Sequence, residues 1–358
     1  MSLSVLEHCA ARGHEQVAFF YYPEVGLKLI VGIHDTTLGP ALGGCRMRLY
    51  TSEAEALEDV MRLSEGMTYK SALARLPLGG GKACLIADPH LTAGREALFK
   101  KMGECLNHLS GRYVTAEDMG TSVADMMNVR SISKFVVGTD PSKGGAGDPS
   151  PWTALGVFHA MRAACERVYP NNPTLTGKRV ALQGVGHVGM YLLEHLTKAG
   201  AVVTVTDTNK ESLAVAREKF GACVIELDAI YDAPCDIFAP CAVGQTVNPK
   251  TLQRLSCGII AGAANNQLSD KSVYETLVAK NILYCPDFVI NSGGVICVSA
   301  ELSADGPKTS WIQQKVDGIF ETTARVLDES HKRNRFTEEV AVELAKEVIA
   351  DAKRQRTK

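Results

Sequence analysis

Long apolar runs are missing from this chain, and so is every cysteine pattern that would hold a metal. No stretch approaches the ~18 consecutive apolar residues of a membrane span, which argues against a membrane partner. The opening MSLSVLEHCAARGHE puts Glu7 and His8 where a secretory leader needs unbroken apolar sequence, so a cytoplasmic location is expected. Cysteine is not scarce, at 11 residues, but there is no C-x-x-C pair and no Cys/His cluster with ligand spacing. That excludes zinc and disulfide-framework readings and leaves no metal expected. Cys84, Cys241 and Cys297 lie in apolar stretches and read as small hydrophobes kept reduced. A surplus of one charge is also absent: 38 Lys and Arg against 40 Asp and Glu give −2, which offers nothing to nucleic acid. The basic tail (Lys353, Arg354, Arg356, Lys358) reads as a solvated helix end. Internal repeats and low-complexity tracts are lacking too.

What is present is a soluble globular composition, 46% hydrophobic and 22% charged, over 358 residues. That length favours two domains over one core. Residues 15–36 alternate around a Pro23–Gly26 turn, which predicts an antiparallel hairpin. Ser52-Glu53-Ala54-Glu55 has the form of a capping box, and the spacing of Leu57, Val60, Met61 and Leu63 predicts an amphipathic helix over 53–66. Leu76–Gly81 cannot be regular helix and must be a turn or close-packed backbone. Helices are expected near 93–110 and 122–131. The run TDPSKGGAGDPSP, within 139–151, is the densest in glycine and proline and marks a candidate interdomain hinge. Beyond it KRVALQGV, AVVTVTD, CDIFAP, GIIAGAA and ILYCPDFVI alternate with helical patterns, predicting a parallel sheet covered on both faces. Residues 311–355 read as one or two long helices.

The strongest local signal is Gly184-Val185-Gly186-His187-Val188-Gly189, directly after a strand and opening a helix. Gly184 would make the tight turn, Gly186 would admit a pyrophosphate to the backbone, and Gly189 would let helix and strand pack closely. Unpaired amides at the helix start suit phosphate. The next strand ends at Asp207, roughly 20 residues on, where a ribose-binding carboxylate belongs. A carboxylate there accepts the ribose hydroxyls of NAD and repels the 2′-phosphate of NADP, so NAD is expected, although Lys210 stands nearby.

Chemistry must come from elsewhere, because a nucleotide fold names no reaction. Before residue 150 three segments stand out: GMTYK ending at Lys70, PLGGGKA with Lys82, and TAEDMG with Asp118. Lys82 is not a P-loop lysine, since Ala83 stands where Ser or Thr is needed. An apolar run follows it, and desolvation there would make the amine a proton-transfer group. Asp118 reads either as a helix N-cap or as a proton-transfer carboxylate.

Together GMTYK, PLGGGKA, TAEDMGT, GDPSPWTALGV, GVGHVG, AGAANNQL and PDFVINSGGV resemble the glutamate/leucine/phenylalanine/valine dehydrogenase family, nearest its leucine-specific branch. The resemblance runs over essentially the whole chain. It implies an NAD-dependent enzyme that oxidatively deaminates a branched aliphatic L-amino acid; the alternative is a phenylalanine- or tryptophan-specific enzyme, and more remotely an inactive NAD-binding regulator. By resemblance Lys82 would activate water, Asp118 would shuttle the amine proton, and Lys70 would bind the substrate carboxylate. Leu42, Gly43, Ala116, Val295 and Val298 would form the side-chain pocket. Asn265 would contact substrate and nicotinamide ribose, and Thr153 would hold the carboxamide. Cys241, Ala242, Ala263 and Ala264 would complete the cofactor site with residues 184–189 and Asp207. The expected fold is α/β with two domains: 1–145 for substrate and oligomerisation, and 146–329 as a Rossmann-type NAD domain, with helices in 330–358 packing back on the first. A cleft between the two and a homo-oligomer are also expected. The chain departs from the family pattern at His187, where a small polar residue is usual, and at Cys45, where threonine is common.

Overall fold

Alternating apolar residues on either side of a Pro–Gly turn build the first two strands, β1 (Gln16–Tyr22) and β2 (Leu27–Asp35). They pair antiparallel, Gln16 opposite Ile33 and Tyr22 opposite Leu27, around a 3-10 turn at Pro23–Val25 that Gly26 closes at φ 69°. The structure, a computed structural model, describes residues 5–356. It divides into two compact units: Met1–Gly147 with Cys297–Thr309 and Ala345–Lys358, and Asp148–Ile296 with Ser310–Leu344.

In the first unit β3 (Ala41–Arg48), β4 (Gly79–Ile86) and β5 (Tyr113–Glu117) complete a sheet of order β1-β2-β4-β3-β5. β4 lies antiparallel to β2 and parallel to β3, and β5 is parallel to β3. Helix Glu53–Leu73 covers one face, where Ala56, Leu57, Val60 and Met61 pack with Ile30 and Cys84. Helix Arg95–His108 covers the other, with Leu98, Phe99 and Met102 against Ala83 and Leu85. The first of these helices runs on past 66, through Gly66, to Leu73, because Thr68, Tyr69, Ser71, Ala72 and Leu73 are all buried. Packing outweighs the roughly 1 kcal/mol cost of one glycine in a helix. Only half of the predicted capping box forms. Ser52 accepts the Glu55 amide, but the Glu55 carboxylate turns to the amide and hydroxyl of Thr51, each at 2.7 Å.

The 76–81 segment is close-packed backbone that opens β4. A Cβ on Gly80 would lie 2.0 Å from the Thr68 amide nitrogen, and one on Gly79 1.9 Å from the Asp35 carbonyl oxygen. Glycine is therefore required where helix Glu53–Leu73 rests on β4.

The second unit holds six parallel strands, β6 (Arg179–Gln183), β7 (Val202–Thr206), β8 (Cys223–Val224), β9 (Ile237–Pro240), β10 (Ile259–Ile260) and β11 (Leu283–Tyr284). Their order is β11-β10-β9-β6-β7-β8. Chain progression reverses between β6 and β9, the doubly wound Rossmann arrangement, and such a switch point is where nucleotides bind. Two predicted strand runs are shorter than expected: GIIAGAA is strand only at Ile259–Ile260, and ILYCPDFVI passes from Leu283–Tyr284 into a helical turn at Asp287–Ile290.

The tail corrects the expectation of one or two helices. Three form, Thr309–Asp317, Ile319–Arg333 and Thr337–Arg356. The last break comes at Asn334, whose left-handed φ of 50° ends the preceding helix, and Thr337 donates to the Tyr284 carbonyl at 2.7 Å. The Gly/Pro-rich segment is ordered by side chains. Glu301 accepts from the amides of Gly138, Thr139 and Ala146 and from the Thr139 hydroxyl, before helix Ser150–Val168 begins. Among the described residues no helix is long and apolar enough to cross a membrane.

Gly80→Ala is expected to destabilise the protein by about 1–3 kcal/mol or more, as overpacking does. A thermal melt should show the loss, and an unchanged Tm would mean that helix Glu53–Leu73 does not press on β4 at this point.

Candidate active site

Strand parity assembles the first half of the site. Leu42 pairs with Gly80 and Arg46 with Cys84 across β3 and β4, while Leu42 pairs with Val114 and Gly44 with Ala116 across β3 and β5. Since alternate residues share a face, Leu42, Gly44, Arg46, Gly80, Lys82, Cys84, Val114 and Ala116 all lie on the face that helix Glu53–Leu73 covers. Asp118 follows β5 with the same parity. A Cβ on Gly44 would stand 2.8 Å from the Asp118 Cβ, so this glycine makes room for the carboxylate.

There Lys82 Nζ meets Asp118 Oδ2 at 3.0 Å, with the lysine side chain 7% and the aspartate 24% exposed. Lys82 is buried, as its apolar neighbours predict, but not alone. A second cation, Arg46, reaches the same oxygen through Nε at 3.0 Å and binds Asp59 through Nη1 at 3.1 Å. Arg62 and the Tyr50 hydroxyl hold Asp59 in turn, at 2.8 and 3.0 Å. Burial alone would raise the Asp118 carboxyl, but the charges and hydrogen bonds of Lys82 and Arg46 outweigh it and hold it at about 2. Asp118 is thus ionised throughout the neutral range, and as a side-chain acceptor it is no N-cap: Ser122 caps helix Val123–Arg130.

Lys70 stands in the last turn of helix Glu53–Leu73, just beyond the Thr68 amide that touches Gly80. Gly43 has the opposite parity. Its carbonyl accepts the Tyr113 hydroxyl, and a Cβ there would lie 1.7 Å from Gly81 O, so its place in the sheet is one of close approach. Cys45 shares that parity and sinks into the core with Leu98 and Phe99, which takes this departure from the family pattern away from Lys82.

In the second unit the three glycines of the loop have different surroundings. Gly184 has φ 98°, Gly186 would carry its Cβ into open space, and Gly189 would bring its own to 2.0 Å from Gly184 O. Helix His187–Lys198 has no side-chain cap on its first amides, and His187 is exposed. The Asp207 carboxylate accepts the amides of Val185 at 2.7 Å and Asn209 at 2.8 Å, which sets it at the rim of the loop. Ala242, after β9, abuts Gly184, and the Cys241 thiol accepts the Ala263 amide at 3.3 Å. An open cradle, uncapped amides and a carboxylate at the next strand's end fit a dinucleotide. Thr153 lies in the first turn of helix Ser150–Val168, where a Cβ on Gly294 would approach its hydroxyl to 2.8 Å. The buried Asn291 donates to Asn265 Oδ1 at 2.8 Å and to Ala263 O at 3.1 Å, and so orients the Asn265 carboxamide. Gln267 braces the same loop by donating to Gly262 and Ala264 carbonyls. Val295 and Val298 share one partly exposed face of helix Gly293–Ser299.

Sequence reasoning missed Arg46, Asp59 and Asn291. The alternation of β3 placed Arg46 opposite Cys84 and could have revealed it; Asp59 meets Arg46 only where helix Glu53–Leu73 packs on the sheet, and Asn291 meets Asn265 across 26 residues of chain, so neither leaves a local trace.

Asp118 sits below its ordinary 3.8 in the folded chain, so the stability it contributes is complete above about pH 4 and is lost as pH falls through about 2. Asp118→Asn should flatten the acid limb of unfolding free energy against pH between those values. An unchanged limb would remove the carboxylate from this pair.

The chain resembles known proteins along essentially its whole length. The Glu/Leu/Phe/Val dehydrogenase dimerisation domain matches residues 14–133, and the Glutamate/Leucine/Phenylalanine/Valine dehydrogenase domain matches 144–214 and 208–356. The chain is 45% identical to leucine dehydrogenase of Bacillus cereus over 357 residues, covering 100% of this chain and 96% of that one. It is 42% identical to phenylalanine dehydrogenase of Caldalkalibacillus thermarum over 339 residues, 93% of this chain and 90% of that one. Among solved structures, L-tryptophan dehydrogenase from Nostoc punctiforme superposes with a TM-score of 0.86 at 38% identity, covering 98% of this chain and 99% of that one.

Proposed function

Because this chain belongs to the Glu/Leu/Phe/Val dehydrogenase family and is an amino-acid dehydrogenase, we propose that it oxidatively deaminates branched aliphatic L-amino acids, leucine with valine and isoleucine, using NAD. The observation that carries the reading is the Lys82–Asp118 pair at 3.0 Å on a sheet face that also carries the apolar Leu42 and Ala116.

In this reading Lys70 binds the substrate carboxylate, and a fixed cation there sets which face of Cα is presented. Asp118, held ionised, accepts the proton of the substrate's amino group. Lys82 exchanges a proton with the water that adds to the imino carbon, so two groups of different basicity divide the proton transfers. The bound dinucleotide supplies the hydride acceptor. Residues 184–189 would hold its pyrophosphate against the backbone, Asp207 its ribose hydroxyls, and Thr153, Cys241, Ala242, Ala263, Ala264 and Asn265 the remainder. The carboxylate of Asp207 supports NAD over NADP. The match of residues 14–133 to a dimerisation domain supports a homo-oligomer.

The residues proposed for the side-chain pocket, Leu42, Ala116, Val295 and Val298, are all aliphatic and carry no polar group. A charged substrate side chain would lose its hydration there without a partner, at a cost of several kcal/mol. Size is read more weakly, at ~1–3 kcal/mol per methylene. Phenylalanine or tryptophan is the second reading, favoured by identities of 42% and 38% to enzymes with those names.

The test is kcat/KM for leucine, isoleucine, valine, phenylalanine, tryptophan and glutamate with each nicotinamide cofactor. The aliphatic three should lead with NAD, glutamate should fall about 100-fold or more below them, and Ala116→Gly with Val295→Leu should shift preference toward phenylalanine. An unmutated enzyme that prefers phenylalanine or tryptophan overturns the pocket assignment, and equal use of NADP removes Asp207 from its role.

A further inference from the structure

Two cations converge on one oxygen of Asp118, and only one of them has a part in the chemistry just described. Lys82 Nζ and Arg46 Nε both stand 3.0 Å from Oδ2. The amide of Asp118 is bound separately, to the Thr121 hydroxyl at 2.9 Å, which fixes the backbone from which the carboxylate projects. Both contacts fall on Oδ2, so the carboxylate is held through one of its two oxygens. Arg46 is itself held at its far end, since Nη1 binds Asp59 at 3.1 Å, and Asp59 is locked into helix Glu53–Leu73 by Arg62 and by the hydroxyl of Tyr50. The guanidinium therefore spans two carboxylates, one on the helix and one at the end of β5, with a side chain only 14% exposed. A planar fork can satisfy both partners at fixed angles; a lysine ammonium in its place could reach one.

We infer that Arg46 is a positioning residue of the reaction: anchored through Asp59, it pins Oδ2 of Asp118 so that Oδ1 is the oxygen presented to the substrate's amino group. The inference rests on the reading of Asp118 as the group that exchanges the amino proton. Lys82 alone could neutralise Asp118, but it must also move a proton in the reaction, and a group that changes its charge during turnover cannot hold its neighbour still. Arg46 stays charged at every working pH and supplies the fixed restraint. Asp59 is the second member of the device, acting on Asp118 only through Arg46.

A double-mutant cycle on the full-length enzyme tests this, with Arg46→Gln, Asp118→Asn and the pair, using leucine and NAD. Loss of the restraint should lower kcat for Arg46→Gln by about 10- to 100-fold, the scale at which small misplacements act. The KM for leucine should move much less, because Lys70 still binds the carboxylate. In the Asp118→Asn background the same change should cost nothing further in kcat, since residues that act through one another are not additive. Arg46→Lys should resemble Arg46→Gln, and carrying it through the same cycle decides the matter if the glutamine variant fails to fold. Asp59→Asn should reproduce a smaller part of the kcat loss. Fold losses that multiply in the double variant, or an Arg46→Lys enzyme with wild-type kcat beside a crippled Asp118→Asn, would overturn the positioning role and leave the catalytic reading standing. An Asp118→Asn enzyme that keeps half the wild-type kcat would overturn the catalytic reading first.

Discussion

A lysine only 6% exposed inside a sheet must find a counter-charge, and the local architecture of the first unit follows from how this one does. Lys82 leaves β4 on the helix-covered face, and the carboxylate that meets it comes from the end of β5, across β3. The intervening strand must therefore be thin where the pair forms. Gly44 is that thin point, since any Cβ there would press on Asp118. The covering helix must come close enough to keep water out, and Gly80 allows it to rest its backbone on β4. Gly44 and Gly80 are thus consequences of burying one ion pair beneath one helix. Replacing Asp118 would leave the buried Lys82 without its counter-charge, at a cost of roughly 3–5 kcal/mol, whereas Arg46 would still neutralise Asp118 if Lys82 were replaced.

The same economy of backbone recurs in the second unit with a different purpose. Gly184, Gly186 and Gly189 differ in what surrounds them: a positive φ, an open space, and a close contact with a carbonyl. Only the middle one leaves room unfilled by protein, and it lies at the switch between β6 and β9 where the first amides of a helix are uncapped. Around it the chain spends polar side chains on shaping loops, with Asp207 gathering two amides, Gln267 two carbonyls, and Asn291 turning Asn265.

Features carried by short-range pattern were legible in the amino-acid sequence. The hairpin at 16–35, the glycine loop before its helix, and the impossibility of helix at 76–81 all depend on neighbours in the chain. Helix ends were less so. Gly66 signals a weak point, yet burial of Thr68 through Leu73 carries the helix past it, and Asn334 ends a helix through a left-handed conformation that composition alone does not demand. The Lys82–Asp118 pair was reached through motif resemblance, whereas Arg46 and Asp59 lie outside every motif and became visible only once strand pairing set Arg46 beside Asp118 and helix packing brought Asp59 to Arg46. Contacts of that kind depend on register, and register is decided by the whole sheet.

The account rests most heavily on Lys82 as a proton-transfer group rather than a structural cation. Lys82→Ala, measured in the full-length enzyme for kcat with leucine and for NAD affinity by quenching of protein fluorescence, separates the two roles. A fall in kcat of about 10²–10⁴ with NAD binding nearly unchanged is the predicted result. A variant that folds, binds NAD and retains half of the wild-type kcat would contradict the central claim.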